Sequence, residues 1–215
     1  DANHFNSFWI WGNIQSAPYL SKAKELYILQ GEIRYSKQQR SSMLTPQGVS
    51  ILKLPHQKIW LVFRTHHLDW NEQNYQAVFK RLEHWNNQGN QVQGIQIDFD
   101  SRTNNLKDYA LFLEKLRKKL PAHYQLSITG LLDWTNFKDQ NTLNILKNNI
   151  DELVIQTYQA TTTIPNYPQY LKRISAMQLP YKIGFVQNGL RQNNANDSDD
   201  PNFKGYVIFL LRSKT

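Results

Sequence analysis

The sequence predicts a small (β/α)8 barrel, with some helices shortened or missing, in a single domain over residues 1–215. Three observations lead there. Eight short runs rich in β-branched and aromatic residues recur along the chain, helical patterns fall between several of them, and no internal repeat or linker divides the whole.

The runs are Ser7 to Trp11, Leu26 to Ile33, Ile59 to Arg64, Gly94 to Phe99, Gln125 to Thr129, Glu152 to Thr157, Lys182 to Val186 and Tyr206 to Leu211. Turn formers bound them, as they bound strands. Between several runs the apolar period changes from 2 to 3.6. Asn74 to Trp85 sets Tyr75, Val78, Phe79, Leu82 and Trp85 on one helical face. Leu106 to Leu120 does the same with Leu106, Tyr109, Ala110, Leu113 and Leu116, and Pro121 stops it. Asn141 to Ile150 and Tyr167 to Met177 carry shorter versions of the pattern.

Strands alternating with helices build βαβ units and a parallel sheet. Eight of them favour a closed barrel over an open doubly wound sheet. At 215 residues such a barrel is near its lower size limit. Tyr35 to Lys58, with Pro46, Gly48 and Pro55, reads as an irregular link. The last strand nearly reaches residue 215, leaving no room for a full helix after it. Gln187 to Lys204, polar and turn-prone through Asn193 to Asp200, reads as a long, mobile surface loop.

Six Trp, 11 Tyr and 10 Phe supply enough bulky surface for a core, which excludes wholesale disorder. The longest apolar runs fall far short of the ~20 residues a membrane-spanning helix needs. The lack of cysteine excludes disulfides, thiolate nucleophiles and Cys-based zinc or iron–sulfur sites. It suits the cytosol and a bacterial periplasm equally. Asp1-Ala2-Asn3-His4 carries neither an initiator Met nor a charged, apolar targeting segment. A mature exported chain, periplasmic or secreted, is the expectation.

The net charge of +8 invites a nucleic-acid reading. The basic residues are scattered, however, and the densest cluster, Lys115 to Lys119, ends a helix, where cations complement the dipole. No nucleic-acid partner is expected. The charge reads as solubility or attraction to an acidic surface or glycan.

In such a barrel the functional side chains gather where the strands end and the βα loops begin. Those ends supply Trp11 and Asn13, Gln30 and Glu32, Arg64, His66 and His67, Asp98 and Asp100, Thr129, Asp133 and Trp134, Gln156 and Tyr158, and Gln187. The sharpest feature is Gly94-Ile95-Gln96-Ile97-Asp98-Phe99-Asp100. Strand alternation puts Gln96, Asp98 and Asp100 on one face and the apolar residues on the other. Two carboxylates so close on an inward face repel each other, which raises one pKa and makes an acid/base pair. Alternatively Asp100 caps the helix that begins near Asn104, or Asp98 binds loop amides.

Glu32 ends an otherwise apolar strand, where a buried carboxylate needs a partner. Arg64 on the neighbouring strand is the candidate. Glu32 is then either a catalytic acid or half of a bracing ion pair. His66-His67 with Asp69 suggests a metal, but adjacent histidines point to opposite sides of a strand, so no metal and no cofactor is expected. Trp11, Trp134 and Tyr158 form either a sugar-stacking platform or ordinary rim packing.

The segments Gly31-Glu32-Ile33, Gln93 to Asp100, Leu126 to Trp134 and Asp151 to Gln156 resemble an uncharacterised bacterial family, domain of unknown function 3142. The resemblance covers most of the chain. It implies a TIM-barrel relative of glycoside hydrolases and brings no established activity. A looser likeness is to chitinase-type family 18 barrels, whose fourth strand carries D-x-x-D-x-D-x-E. The inner aspartates fall on Asp98 and Asp100, the first aspartate on Ile95, and the glutamate that is the general acid there on Arg102. Without that glutamate the substrate-assisted mechanism does not run as written, and activity would need Glu32 or Asp133 as acid.

The resulting expectation is a glycoside-hydrolase-like barrel that acts on or binds a glycan or other small polar ligand. Asp98, Asp100 and Glu32 would be catalytic, and Trp11, Arg64, His66, Trp134, Gln156, Tyr158 and Gln187 would bind substrate. The alternative is a degenerate barrel that binds carbohydrate or is purely structural.

Overall fold

A parallel sheet need not carry helices on both faces, because it can cover one with helices and roll the other into an interior. The computed structural model, which describes residues 2–12, 20–101, 103–189 and 199–211, shows that arrangement. Its barrel strands are β1 (Ser7–Ile10), β2 (Glu25–Ser36), β3 (Lys58–Thr65), β4 (Gln91–Asp98), β5 (Gln125–Leu131), β6 (Glu152–Gln156), β7 (Tyr181–Val186) and β8 (Phe203–Leu210). Each pairs in parallel with the next, and β8 pairs with β1 to close the ring. The four α-helices among the described residues are α1 (Glu72–Asn87), α2 (Leu106–Lys119), α3 (Gln140–Asn149) and α4 (Tyr167–Leu171). The barrel is TIM-like with few helices, as the chain length predicts.

Alternation sorts the strand residues into two cores. Phe8, Ile28, Leu61, Ile97, Ile128 and Ile155 face outward and pack with helix residues such as Val78, Leu82, Leu113 and Leu116. Trp9, Tyr27, Leu29, Trp60, Val62, Val154, Tyr158, Val186 and Val207 fill the interior. Side-chain caps mark the starts of two helices. Asn71 and Asn74 exchange side-chain and backbone hydrogen bonds at the start of α1, and Asp139 accepts from the Asn141 amide at α3.

One local irregularity redirects β2. Its register against β3 slips by one residue at Gln30, so Leu29 pairs with Val62 but Gly31 pairs with Phe63. The Gln30 side chain leaves the interior. Its Oε1 accepts from Arg81 Nε at 2.7 Å and Trp85 Nε1 at 2.6 Å, tying the bulge to α1. Beyond the bulge the inward set resumes at Glu32, which stands opposite Arg64.

The base of the barrel carries a buried ion network that the sequence reading did not single out. Lys182 Nζ lies 2.8 Å from Glu25 Oε1, 2.8 Å from Glu152 Oε2 and 2.7 Å from the Tyr27 hydroxyl. Trp60 Nε1 and Ser7 Oγ donate to Glu25, while Tyr27 and Ser127 donate to Glu152. Three strands far apart in sequence, β2, β6 and β7, thus meet on one ammonium group. Burial alone would lower the Lys182 pKa, but the two carboxylates hold it above its ordinary value. Burial would raise Glu25, but Lys182 and the Trp60 and Ser7 donors bring it below the usual carboxylate range.

Two expectations are corrected. The link from Tyr35 to Lys58 contains a strand, Ser41–Pro46, antiparallel to the end of β2. Its mixed polar and apolar residues, mostly half-buried, and its terminal proline suit an edge strand and hide the alternation. The helix expected over Tyr167 to Met177 is divided: α4 ends at Leu171, and a 3-10 turn, Ile174–Met177, returns Ile174 and Met177 to the core. Much of the polar loop expected from Gln187 to Lys204 lies outside the described residues, and β8 begins at Phe203, earlier than expected.

Two stability outcomes follow. Gly94 packs so tightly on β5 that a Cβ would stand 1.9 Å from the Gln125 carbonyl oxygen. Gly94→Ala should therefore cost about 3 kcal/mol in urea denaturation; a loss below about 1 kcal/mol would contradict that strand spacing. Lys182→Met leaves two buried carboxylates without their cation and should cost about 3–5 kcal/mol at pH 7. In the wild type the Lys182 contribution is fully present below its unfolded pKa, near 10.4, and is lost as pH rises through the higher folded value. The Glu25 contribution is present above about pH 4.3 and is lost as pH falls through its lowered folded value. Denaturation across pH checks both edges.

Candidate functional site

The interior is packed at the base and opens at the ends where the strands stop. There a cleft of about 520 Å³ is lined by Trp9, Trp11, Arg64, Asp98, Asp100, Asp133, Gln156, Tyr158 and Phe209, among others. That volume suits a small ligand or one or two sugar rings. The walls are aromatic: Trp11 and Phe209 rings lie 6.2 Å apart, and Tyr158 stacks on Phe209 at 5.6 Å.

The polar side is built by register. Glu32 pairs with Arg64, and Arg64 pairs with Asp98, so three inward side chains on consecutive strands form one row. Arg64 Nε donates to Asp98 Oδ2 at 3.3 Å, and Arg64 Nη1 lies 3.8 Å from Glu32 Oε1. The same guanidinium sits 4.4 Å from the centre of the Trp11 ring. Glu32 also faces His66 Nε2 at 3.3 Å and Arg34 at 3.8 Å.

Asp98 is the most deeply placed carboxyl of the cleft, 2% exposed. Thr129 Oγ1 donates to its Oδ1 at 2.9 Å. Burial raises its pKa, and nearby Asp100 adds to the rise. Arg64 and the Thr129 hydroxyl oppose it without cancelling it. Asp100, just past the end of β4, is exposed on the cleft wall. The two carboxyls expected to act together therefore share one cleft in contrasting environments, one dry and braced, the other wet.

The structure gathers Trp11, Arg64, Asp98, Asp100, Gln156 and Tyr158 at this cleft, with Asp133 beside them. Glu32 is buried behind Arg64, as half of the anticipated ion pair. His66 is exposed on the far side of Glu32. His67 bonds Ser42 of the edge strand at 2.6 Å. Gln187 does not line the cleft, and its Oε1 accepts from the Leu211 amide at 2.9 Å.

Trp134 is a correction. It is fully buried, its Nε1 donates to the Ser101 carbonyl, and its ring packs edge-on against Tyr109. No face remains for a sugar. The residue lies in a 3-10 turn, Leu132–Asn136, which folds its ring beneath the loop. Asn13 and Arg102 lie outside the described residues. Trp9 and Phe209 were missed, although the alternation that places Trp11 inward places Trp9 there too. Among the described residues no three His, Cys, Asp or Glu side chains are grouped to hold a metal ion, and no helix is long and apolar enough to cross a membrane.

Comparison with known proteins adds three findings. A family model described as Domain of unknown function (DUF3142) matches residues 64–177, just over half of the chain. Among solved structures, the chain is similar to the Bacillus cereus spore cortex-lytic enzyme SleL, with TM-score 0.53 and 14% identity over 76% of this chain and 44% of that one. It is also similar to the chitinase domain of the spore coat protein CotE from Clostridium difficile, with TM-score 0.54 and 12% identity over 83% of this chain and 64% of that one. At such identities the likeness is one of fold, and the chain spans less than two thirds of either structure. No curated protein matches the sequence.

The Asp98 environment gives a signed prediction. Because folding raises its pKa, the native state binds its proton more tightly than the unfolded chain, and stability falls as pH rises from about 3.9 through the folded value. Asp98→Asn removes that charge while keeping the shape. The variant should be within about 1 kcal/mol of wild type at pH 7, and the wild type should gain on it as pH falls towards 4. Denaturation at several pH values checks this. A variant several kcal/mol less stable at pH 7 would make Asp98 a structural residue.

Proposed function

The chain belongs to the family of domain of unknown function 3142, and on that footing we propose that it is a glycoside-hydrolase-like barrel that takes a glycan into the cleft at its C-terminal mouth. The observation that carries this reading is the pairing of a buried Asp98, whose pKa burial raises, with an exposed Asp100 in an aromatic-walled cleft. Glycosidic bond cleavage needs a carboxyl that holds its proton for the leaving oxygen and a second that supports charge or water at the sugar. Asp98 has the environment of the first and Asp100 the exposure for the second. Trp11 and Tyr158 offer apolar surface to a pyranose ring. Arg64 and Gln156 offer donors to hydroxyls, and Glu32, behind Arg64, holds that guanidinium in place.

The fold neighbours supply the substrates to try. One is named as a cortex-lytic enzyme and the other as a chitinase domain, so peptidoglycan fragments and chitin oligosaccharides come first. Such polymers lie outside the cytoplasm, which suits an exported chain.

A second reading, a barrel that binds a glycan without cleaving it, is favoured by one observation. Both Asp98 oxygens are engaged, Oδ1 by Thr129 and Oδ2 by Arg64, and a proton donor must free one of them.

Product analysis with both substrate classes separates the readings. If the barrel is hydrolytic, Asp98→Asn should lower kcat by about 10²–10⁴ with oligosaccharide affinity nearly unchanged. Binding without products in the wild type selects the second reading. Absence of binding by every glycan tried would contradict both.

A further inference from the structure

The chemistry of the cleft leaves the net charge of +8 unused. Six of the cations, Arg34, Lys37, Arg40, Lys53, Lys58 and Arg64, fall between Ile33 and Leu68, a stretch that contains no Asp or Glu. The fold stands three of them on one ledge. β2 pairs with β3 only as far as Ile33, opposite Thr65, and then runs on to Ser36. From there a four-residue turn, Lys37 to Arg40, leads into the edge strand Ser41–Pro46, which pairs back along β2. Parallel barrel strands point their C-terminal ends at the mouth, so this hairpin rises about 10 Å past the end of β3.

The ledge is basic on the side that meets the cleft. Arg34 shares a strand face with Glu32, and its guanidinium lies 3.8 Å from Glu32 Oε2 while the side chain remains 52% exposed. At that separation the pair is no hydrogen bond, so the Arg34 donors stay available to a ligand. Lys37 and Arg40 are exposed, and among the described residues neither has an ion-pair partner. Arg40 takes φ of 49°, a left-handed conformation that glycine or asparagine adopts at less cost. The rest of the mouth is sorted differently. Asp98, Asp100 and Asp133 line the cleft with Arg64, and the aromatic rings wall the other side.

We infer that this ledge reads acid groups on the glycan held in the cleft, so that the barrel takes a carboxylated sugar chain in preference to a neutral one. This rests on the glycan reading above and names the substrate class within it. With sugar rings against Trp11 and Tyr158, substituents directed towards β2 meet Arg34, Lys37 and Arg40. Guanidinium and ammonium groups pair with carboxylates, and a guanidinium does so through a planar fork of donors. The three cations are strung along a strand end and a turn instead of converging on one point. That suits acid groups repeated along a chain better than a single phosphate, on which donors close in together. A nucleic acid fits less well, because its phosphates would have to lie against the cleft carboxyls Asp98 and Asp100.

The test is a binding titration of the full chain, at low and at high salt, with three sugars on one backbone. They are the tetramer of N-acetylglucosamine, the tetrasaccharide in which N-acetylglucosamine alternates with N-acetylmuramic acid, and the methyl ester of that acid. The acid and its ester differ in charge and hardly in size. The inference expects the wild type to bind the acid about three- to tenfold more tightly than the ester at low salt. The preference should shrink towards unity at about 0.5 M salt, where screening is complete within a few ångströms. The triple variant Arg34→Gln, Lys37→Gln, Arg40→Gln should bind the ester as the wild type does and lose the preference for the acid. All three side chains are exposed, and the salt dependence of the wild type reads the same claim without the variant. Equal binding of acid and ester by the wild type, or a preference that the variant keeps, overturns the inference and leaves the glycan reading standing. Displacement of the bound acid by single-stranded DNA at equal anionic charge makes the ledge a general polyanion surface and also overturns it. No binding of any of the three sugars overturns both.

Discussion

The interior of an eight-stranded barrel has room for side chains from every second strand residue, and the character of both its ends follows from which residues hold those places. Here the middle layers go to Tyr27, Leu29, Trp60, Val62 and Val154. Charge is left to the two ends, and the ends treat it differently. At the base, Lys182 is enclosed by Glu25, Glu152 and Tyr27 until every group is satisfied. At the mouth, Arg64 is shared between Glu32, Asp98 and the face of Trp11, and the carboxyls beside it remain next to open space. The first arrangement holds three strands together. The second leaves Asp98 with a raised pKa at the edge of a cleft, which is where ionisable groups serve chemistry.

The bulge at Gln30 links the two cores. Without the extra residue, unbroken alternation from Leu29 would bring Gly31 and Ile33 inward and turn Glu32 towards the helices. With it, Glu32 reaches Arg64, while Gln30 is bound by Arg81 and Trp85 of α1. Helix packing outside the barrel thereby helps fix the position of a guanidinium inside its mouth. The Asp98 environment depends in turn on that guanidinium, since Arg64 is the cation that opposes the effect of burial.

Much of this architecture was legible in the sequence, because parallel barrel strands are short, β-branched and bounded by turns. All eight strands and the first three helices stand where the periodicity places them. The Glu32–Arg64 pair was legible too, since a carboxylate ending an apolar strand needs a cation nearby. Other features depend on geometry that a single strand does not encode. The edge strand Ser41–Pro46 lacks the alternation of a buried strand. Trp134 sits at a strand end like a rim residue, but a 3-10 turn folds its ring into the core. Lys182, Glu25 and Glu152 look like ordinary solvated charges until closure brings three separate strands together. Trp9 shares the inward face of Trp11, yet only the folded barrel shows that its nitrogen meets no acceptor among the described residues.

The central claim is that the cleft between Asp98 and the aromatic wall is where a glycan sits. A crystal structure of the chain soaked with the oligosaccharide that binds it most tightly is the most direct measurement. The account predicts a sugar ring against Trp11 or Tyr158, with hydroxyl or glycosidic oxygens within hydrogen-bond distance of Asp98 or Asp100. A sugar bound elsewhere on the barrel, with this cleft holding only water, would contradict it.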